Sequence, residues 1–304
     1  MTTTEETTAG VGNWGRWGPD DERGALNLMT PEVVLAATRV CRTGKVYSLA
    51  LPIGKRLTPE VLGTNRPGPD RLTLCGPADA PAMELYGAAP GVGSNEDLVI
   101  ISSHAGTHMD ALCHVFSDGT IWNGHPAGSF TPAGGAGRCG ITNTASFAGR
   151  AVLLDVAAHQ GVDTLEPGQV ITADDLEACR AAQGVEMGSG DVLIVRTGCV
   201  EQGQRGGPPS VGQAGLGFSA VDFVRDHDVA VVAADNRAVE PYPFDRDVFL
   251  GVHIELLVKL GVTLVEHLWL GELAADRCYE SLFIIGALPV AGATGSPVNP
   301  IAIG

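Results

Sequence analysis

The chain has 304 residues, 44% of them hydrophobic and 18% charged, which supplies material for a sizeable buried core and excludes a disordered chain. Its 35 acidic against 19 basic residues leave a formal net charge of −16 at pH 7, repelling phosphate backbones and anionic lipid surfaces, so neither nucleic acid nor a membrane is expected as partner. The seven cysteines form no CxxC pair, and neither a cationic-then-apolar leader nor a membrane-length apolar run is read; reduced thiols and a cytoplasmic location are expected.

Residues 1–12 read as a flexible N-terminal tail ahead of one domain, 13–304. The stretch "TPEVVLAATRVCRTGK" has Thr30 as N-cap, Pro31 at the first helical position, an apolar stripe and Gly44 as terminator, which predicts a helix. Two Gly/Pro-rich stretches, Thr64 to Ala82 and Glu201 to Gly217, read as long loops bordering a pocket. Five short apolar runs predict strands: "LVIISS" from Leu98, "RAVLLDV" from Arg150, "DVLIVRT" from Asp191, "VAVVAAD" from Val229 and "VTLVEHL" from Val262. Their apolar residues are continuous rather than alternating, as expected of strands covered on both faces. Helical patterns with Thr172 and Ser219 as N-caps lie between them, so strand and helix alternate and the fold class is α/β.

The densest chemistry lies in "SSHAGTHMDALCHVFSDG", where His104, His108, Asp110 and His114 fall within eleven residues of a chain with eight histidines. On a helix Asp110 would lie about 200° round from His108, whereas an extended chain projects positions 104, 106, 108 and 110 from one side. A straight strand would still separate His104 from Asp110 by roughly 20 Å, so the chain must bend, and Gly106 is the residue able to bend it. Two imidazoles and a carboxylate suit Zn²⁺, Mn²⁺ or Fe²⁺ and leave a coordination position open for a metal-activated water that attacks an amide or ester. His114, with an unperturbed pKa near about 6.5, reads as the proton carrier. A single histidine at a strand end would read as a hydrogen-bonded structural residue; four such groups together argue for a metal centre.

The segment "HAGTHMDALCHV" resembles the HxGTHxDxPxHF signature of the Putative cyclase family of metal-dependent hydrolases, which includes bacterial kynurenine formamidase and isatin hydrolase. His104, Gly106, Thr107, His108, Asp110 and His114 match; Leu112 stands where the signature has Pro, and Val115 where it has Phe, with Phe116 following. "WGRWGPDDERGALNLMTPE" and "ATGSPVNPIAI" are similar to the beginning and end of the longer members. The resemblance implies a swivelling β/β/α-type domain with a barrel-like, largely buried sheet, a homodimer or homotetramer, and one or two Mn²⁺ or Zn²⁺ ions. It also implies a second His and Glu contribution, for which His253 and Glu266 are the candidates and Glu255 a substitute; if both bind, Asp110 bridges two ions. A carboxylate at the end of an apolar strand, as at Glu266, is costly unless bonded to an ion or a cation.

Arg196 and Thr197 end a strand, where α/β sheets usually bind ligands, and the resemblance also places them near the pocket. Arg196 reads either as a clamp for a substrate carboxylate or as the partner of a structural Asp, and Asp235 as a structural hydrogen-bonding group. Trp17, with Trp14 and Trp122, is read as facing an aromatic substrate or as core, Ser296 as a donor to substrate or a turn residue, and Cys113 as pointing away from the metal by alternation. The expected function is hydrolysis, by metal-activated water, of a C–N bond in a small cyclic or N-acyl amide such as an arylformamide or lactam. A lactone hydrolase, a cyclase-dehydratase and a catalytically silent, metal-stabilised scaffold are the alternatives.

Overall fold

The computed structural model describes residues 12–54, 68–144, 146–205 and 212–304. In chain order the main sheet comprises β1 (Val46–Ser48), β2 (His108–Asp110), β3 (Ser146–Asp155), β4 (Val192–Arg196), β5 (Val231–Ala234), β6 (Thr263–Glu266), β7 (Glu280–Gly286), β8 (Gly295–Pro297) and β9 (Ile301–Ile303). These nine strands lie side by side in the order β1-β9-β7-β3-β4-β5-β6-β2-β8. The central run β3-β4-β5-β6 is parallel, and the flanking pairs are antiparallel. The sheet curls into a half-barrel flanked by helices, a mixed α/β architecture.

Burial explains the sequence pattern of the centre. Val192 to Val195, Val231 to Ala234 and Thr263 to Glu266 are all buried, so the apolar residues of these strands run without alternation, as parallel strands covered on both faces require. By contrast β7 alternates buried with half-buried positions and has one wetter face.

Helix α1 (Pro31–Ala37) starts as expected, with the Thr30 side chain accepting from the Val33 amide. It stops before Gly44, because Thr38 bonds back to the Leu35 carbonyl at 2.7 Å and the chain tightens into a 3-10 turn over Thr38–Val40. Helix α2 (Ala173–Gln183) has a reciprocal cap between Thr172 and Asp175 and ends at a left-handed Gly184. Helix α3 (Ala220–Asp226) follows Ser219, whose side chain makes no capping bond, and buries Ala220, Val221, Phe223 and Val224.

One strand expectation and two loop expectations need correction. The strand at Glu96–Ile100 pairs not with the main sheet but with Asp70–Cys75, in a separate two-stranded ribbon. Register puts Leu72 opposite Leu98 and Asp70 opposite Ile100, so Leu72, Leu98 and Ile100 share one ribbon face, and all three are exposed. A continuous apolar run therefore did not signal two-sided burial here. Part of the stretch from Thr64 to Ala82 is thus strand; residues 64–67 fall outside the described residues, as do 206–211 of the second stretch, which holds the end of a helix at Cys199–Gln204 and a short strand at Gly215–Leu216. Residues 1–11 of the expected tail are likewise outside them. Among the described residues no helix is long and apolar enough to cross a membrane, and all seven cysteines are free thiols.

Candidate metal centre

Strand β2 lies between β6 and β8, and its register builds the site. Glu266 pairs opposite His108, while Gly295 pairs opposite Asp110. Directly opposed residues project to the same face, so His108, Asp110 and Glu266 meet on one side of the sheet. His104 reaches them because the chain turns at Gly106, whose φ of +65° lies in the left-handed region that glycine adopts without penalty. The kink expected from sequence is therefore present. Gly295 completes the arrangement: a Cβ there would come within 2.5 Å of His104 Cε1, so only glycine leaves room for the ring.

His104 Nδ1 lies 2.7 Å from Asp110 Oδ1, and its Nε2 lies 3.0 Å from the Thr294 hydroxyl. Nδ1 of His108 sits 2.9 Å from the Gly106 carbonyl, which turns its Nε2 towards Glu266 Oε2 at 3.3 Å and Asp110 Oδ1 at 3.6 Å. From the first turn of the helix that begins at Gly251, His253 approaches Glu266 Oε1 with Nε2 at 3.3 Å and Asp110 Oδ2 at 4.0 Å. His104, His108 and Asp110 form one ligand-like set and Asp110, His253 and Glu266 another, each with its donor atoms within 4.8 Å of one another. All five residues are buried.

The electrostatics match a cation site. Burial would raise the Asp110 and Glu266 carboxyls, yet the imidazoles around them win: Asp110 is held well below the usual range by His114, His104 and His108, and Glu266 is lowered to about 2 by His108 and His253. Burial works against charge on His108 and His253 too. Bonds to Glu266 nevertheless raise His108, and bonds to Glu240 and Glu266 raise His253 to about 10. One further observation tests the fit of a divalent metal: Asp110 Oδ2, fully buried, has no hydrogen-bond partner among the described residues. Such an oxygen is expensive unless a cation meets it, so the residues fit the group.

A prediction arises here. Stripped of metal by a chelator, the protein should carry a proton on His253 throughout the interval between the ordinary histidine pKa and its raised value of about 10. A ligating imidazole must be neutral, so loading divalent metal at pH 7 should release at least the His253 proton, with the raised His108 adding to it, and affinity should rise with pH up to that value. Calorimetric titrations in two buffers of different ionisation enthalpy measure this release; a heat independent of buffer would refute it.

His114 stacks on His104 with ring centroids 3.9 Å apart. Burial lowers its pKa to about 4, away from the unperturbed value assumed from sequence, so at neutral pH it is a free base. It lines a cavity of about 220 Å³ together with Thr294, Phe116, Phe130 and Ile121. Cys113 lines the same cavity, because residues 111–116 are turn rather than strand and alternation does not apply to them.

The other sequence candidates lie outside the cluster. Arg196 is held between Asp155 Oδ1 at 2.8 Å and Glu201 Oε1 at 3.1 Å, two strand spacings from β6, or roughly 10 Å. Thr197 donates its amide and its hydroxyl to Asp235 Oδ1, both at 2.7 Å. Ser296 pairs opposite Met109, which puts it on the sheet face away from His108 and Asp110, and it bonds the Leu288 amide and the Pro297 carbonyl. Trp17 packs near Trp122 at 6.1 Å beneath the Arg16 guanidinium, while Trp122 and Trp14 donate to Asp21 and to the Val258 carbonyl. Glu255 pairs with Lys259.

Sequence reasoning passed over Glu240, Thr294 and His267. Glu240 accepts from the His253 and Val252 amides and lies 2.5 Å from His253 Nδ1. His267, with φ of +57°, offers its carbonyl to the Thr107 hydroxyl at 2.7 Å and so ties the turn before β2 to the end of β6. Only Thr294 carried a signal, standing two residues before Ser296 in a segment already singled out.

Fold and site together define a curled α/β half-barrel with a buried His/Asp/Glu cluster of the kind that holds divalent metals. The chain belongs to the Putative cyclase family, which matches residues 47–241. It is similar to the crystal structure of a novel cyclase, at 35% identity and a TM-score of 0.87 over 97% of this chain and 100% of that one. It also resembles isatin hydrolase A from Labrenzia aggregata, at 16% identity and a TM-score of 0.59 over 88% of this chain and 94% of that one. A predicted metal-dependent hydrolase from Bacillus stearothermophilus shares the fold at 16% identity and a TM-score of 0.50, over 85% and 97% of the two chains. Among curated proteins none matches significantly.

Proposed function

We propose that the protein is a metal-dependent hydrolase that opens a C–N bond of a small cyclic or N-acyl amide, an arylformamide or a lactam. The observation that carries this reading is the sharing of Asp110 between two ligand sets beside a neutral histidine that faces a pocket. His104, His108 and Asp110 would hold one divalent ion, Mn²⁺ or Zn²⁺, and Asp110, His253 and Glu266 a second. When bound, such ions polarise the carbonyl and acidify water.

The chain's own groups supply the rest. Unprotonated near neutrality, His114 can take a proton from the attacking water and return it to the leaving nitrogen. Stacking on His104 fixes its ring plane. Phe116, Phe130 and Ile121 offer apolar and aromatic wall to a flat substrate, and the volume of about 220 Å³ lies below the roughly 300–1,000 Å³ of pockets for drug-sized ligands, which favours a small one. Isatin hydrolases among the structural neighbours support a lactam within this class.

The test is to remove metal with a chelator, restore Mn²⁺ or Zn²⁺, and follow N-formylkynurenine, isatin and lactone turnover alongside the melting temperature. Amide or lactam turnover should vanish and return with metal. A melting shift without turnover on any of the three would leave a metal-stabilised scaffold and defeat the proposal.

A further inference from the structure

The three histidines of the metal centre are backed by unlike groups. His108 has the Gly106 carbonyl behind it at 2.9 Å, and His104 has the Thr294 hydroxyl at 3.0 Å, both neutral. His253 has a buried carboxylate: Glu240, 1% exposed, lies 2.5 Å from its Nδ1. The same carboxylate receives the Val252 and His253 amides at 3.2 Å each, so it caps the helix that carries the ligand and holds the ring at once. Nδ1 must donate to it, which leaves Nε2 as the atom aimed at Glu266 and Asp110.

Charge is distributed as unevenly as the backing groups. The set of His104, His108 and Asp110 contains one carboxylate, shared, with the Thr294 hydroxyl and the Gly106 carbonyl at its histidines' other nitrogens. That of Asp110, His253 and Glu266 contains two, with a third directly behind its histidine. A carboxylate behind a ligating imidazole fixes its tautomer and raises its basicity, and losing such a partner typically lowers metal affinity about 10–100-fold.

Resting on the two-ion reading above, we propose that Glu240 is a positioning residue that makes the Asp110–His253–Glu266 position the tighter of the two, leaving the His104–His108–Asp110 position the weaker and more exchangeable. Metal then loads in order. Asp110, His253 and Glu266 would fill at the lower metal concentration, and His104, His108 and Asp110, beside His114 and the pocket, at the higher.

Mn²⁺ binding to the chelator-treated full chain, read as free Mn²⁺ by electron paramagnetic resonance, tests this without any substrate. Wild-type protein should show two steps. Glu240→Gln keeps an acceptor for Nδ1 but removes the charge, and should weaken the tight step about 10–100-fold while moving the weak one less than twofold. A merely structural role would weaken both together. His104→Ala should abolish the weak step alone, and His253→Ala the tight one alone; these two variants read the order of affinities even if Glu240→Gln fails to fold. Equal weakening of both steps in Glu240→Gln, an unchanged tight step, or loss of the tight step in His104→Ala overturns the inference while leaving a two-ion hydrolase intact. A wild-type chain that binds no Mn²⁺ or Zn²⁺ defeats the proposed function as well.

Discussion

Asp110→Asn is expected to bind neither ion and to lose kcat/KM by about 10³-fold or more. Asp110 belongs to both ligand sets found among the described residues, so its substitution removes a ligand from each at once. The magnitude follows from several kcal/mol of charge stabilisation by a bound metal, each 1.36 kcal/mol being a factor of about ten in rate. Asn preserves volume and can still accept from His104 Nδ1 through its carbonyl, so the backbone of β2 and its pairing with Thr263, whose hydroxyl bonds the Asp110 carbonyl, should survive. Far-UV circular dichroism checks that point, and elemental analysis of the purified variant counts ions. Glu266→Gln is the comparison: it alters the carboxylate facing His108 Nε2 at 3.3 Å, keeps His104, His108 and Asp110 themselves, and should retain one ion. Wild-type metal content in Asp110→Asn would show that the cluster is a hydrogen-bonded core rather than a metal centre.

How much of this centre can be read from sequence depends on the range of the interactions. The bend at Gly106 is local: three groups spaced at two- and four-residue intervals converge only if one residue adopts positive φ, and the sole glycine between the histidines does so. The apolar runs at β4, β5 and β6 are also local signals, and each is a buried strand. Pairing is not local. That β2 lies between β6 and β8, putting Glu266 and Gly295 against His108 and Asp110, is decided by sheet topology, and nothing near residue 108 announces it. His253 and Glu266 were reachable only through family resemblance. Glu240 was not reachable at all, since it lies in an irregular segment and meets His253 through a helix start whose position depends on the tertiary fold.

Arg196 shows the same limit from the other side. A cationic side chain at the end of a parallel strand reads equally as a substrate clamp or as a structural partner. The deciding facts are that β3 runs in register beside β4, bringing Asp155 opposite Arg196, and that the next helix returns Glu201 to its guanidinium. Alternation failed at Cys113 for a related reason: period-two reasoning holds only while the chain stays extended, and the strand ends at Asp110.

His114→Ala should keep both ions and lose about 10²–10⁴ in kcat, the range contributed by a positioned acid–base group. His114 stands apart from the ligands: it belongs to neither ligand set found among the described residues, stacks on His104, and opens onto the cavity. The pH profile supplies a sharper discriminator. A base must be unprotonated to act, and burial lowers the His114 pKa to about 4, so wild-type kcat/KM should stay level from neutrality down to about pH 5 and fall as pH drops through about 4. An acid limb centred near about 6.5, the ordinary histidine value, would contradict a buried base. Because acid also protonates ligands, metal content has to be measured at each pH, and the limb counts only where both ions remain bound. In His114→Ala the residual rate should lose this limb altogether, since the group whose protonation shuts off the reaction is gone. A variant that keeps the limb together with the wild-type rate would instead make His114 a packing partner of His104, and the proton transfer would have to be assigned to another side chain of the pocket.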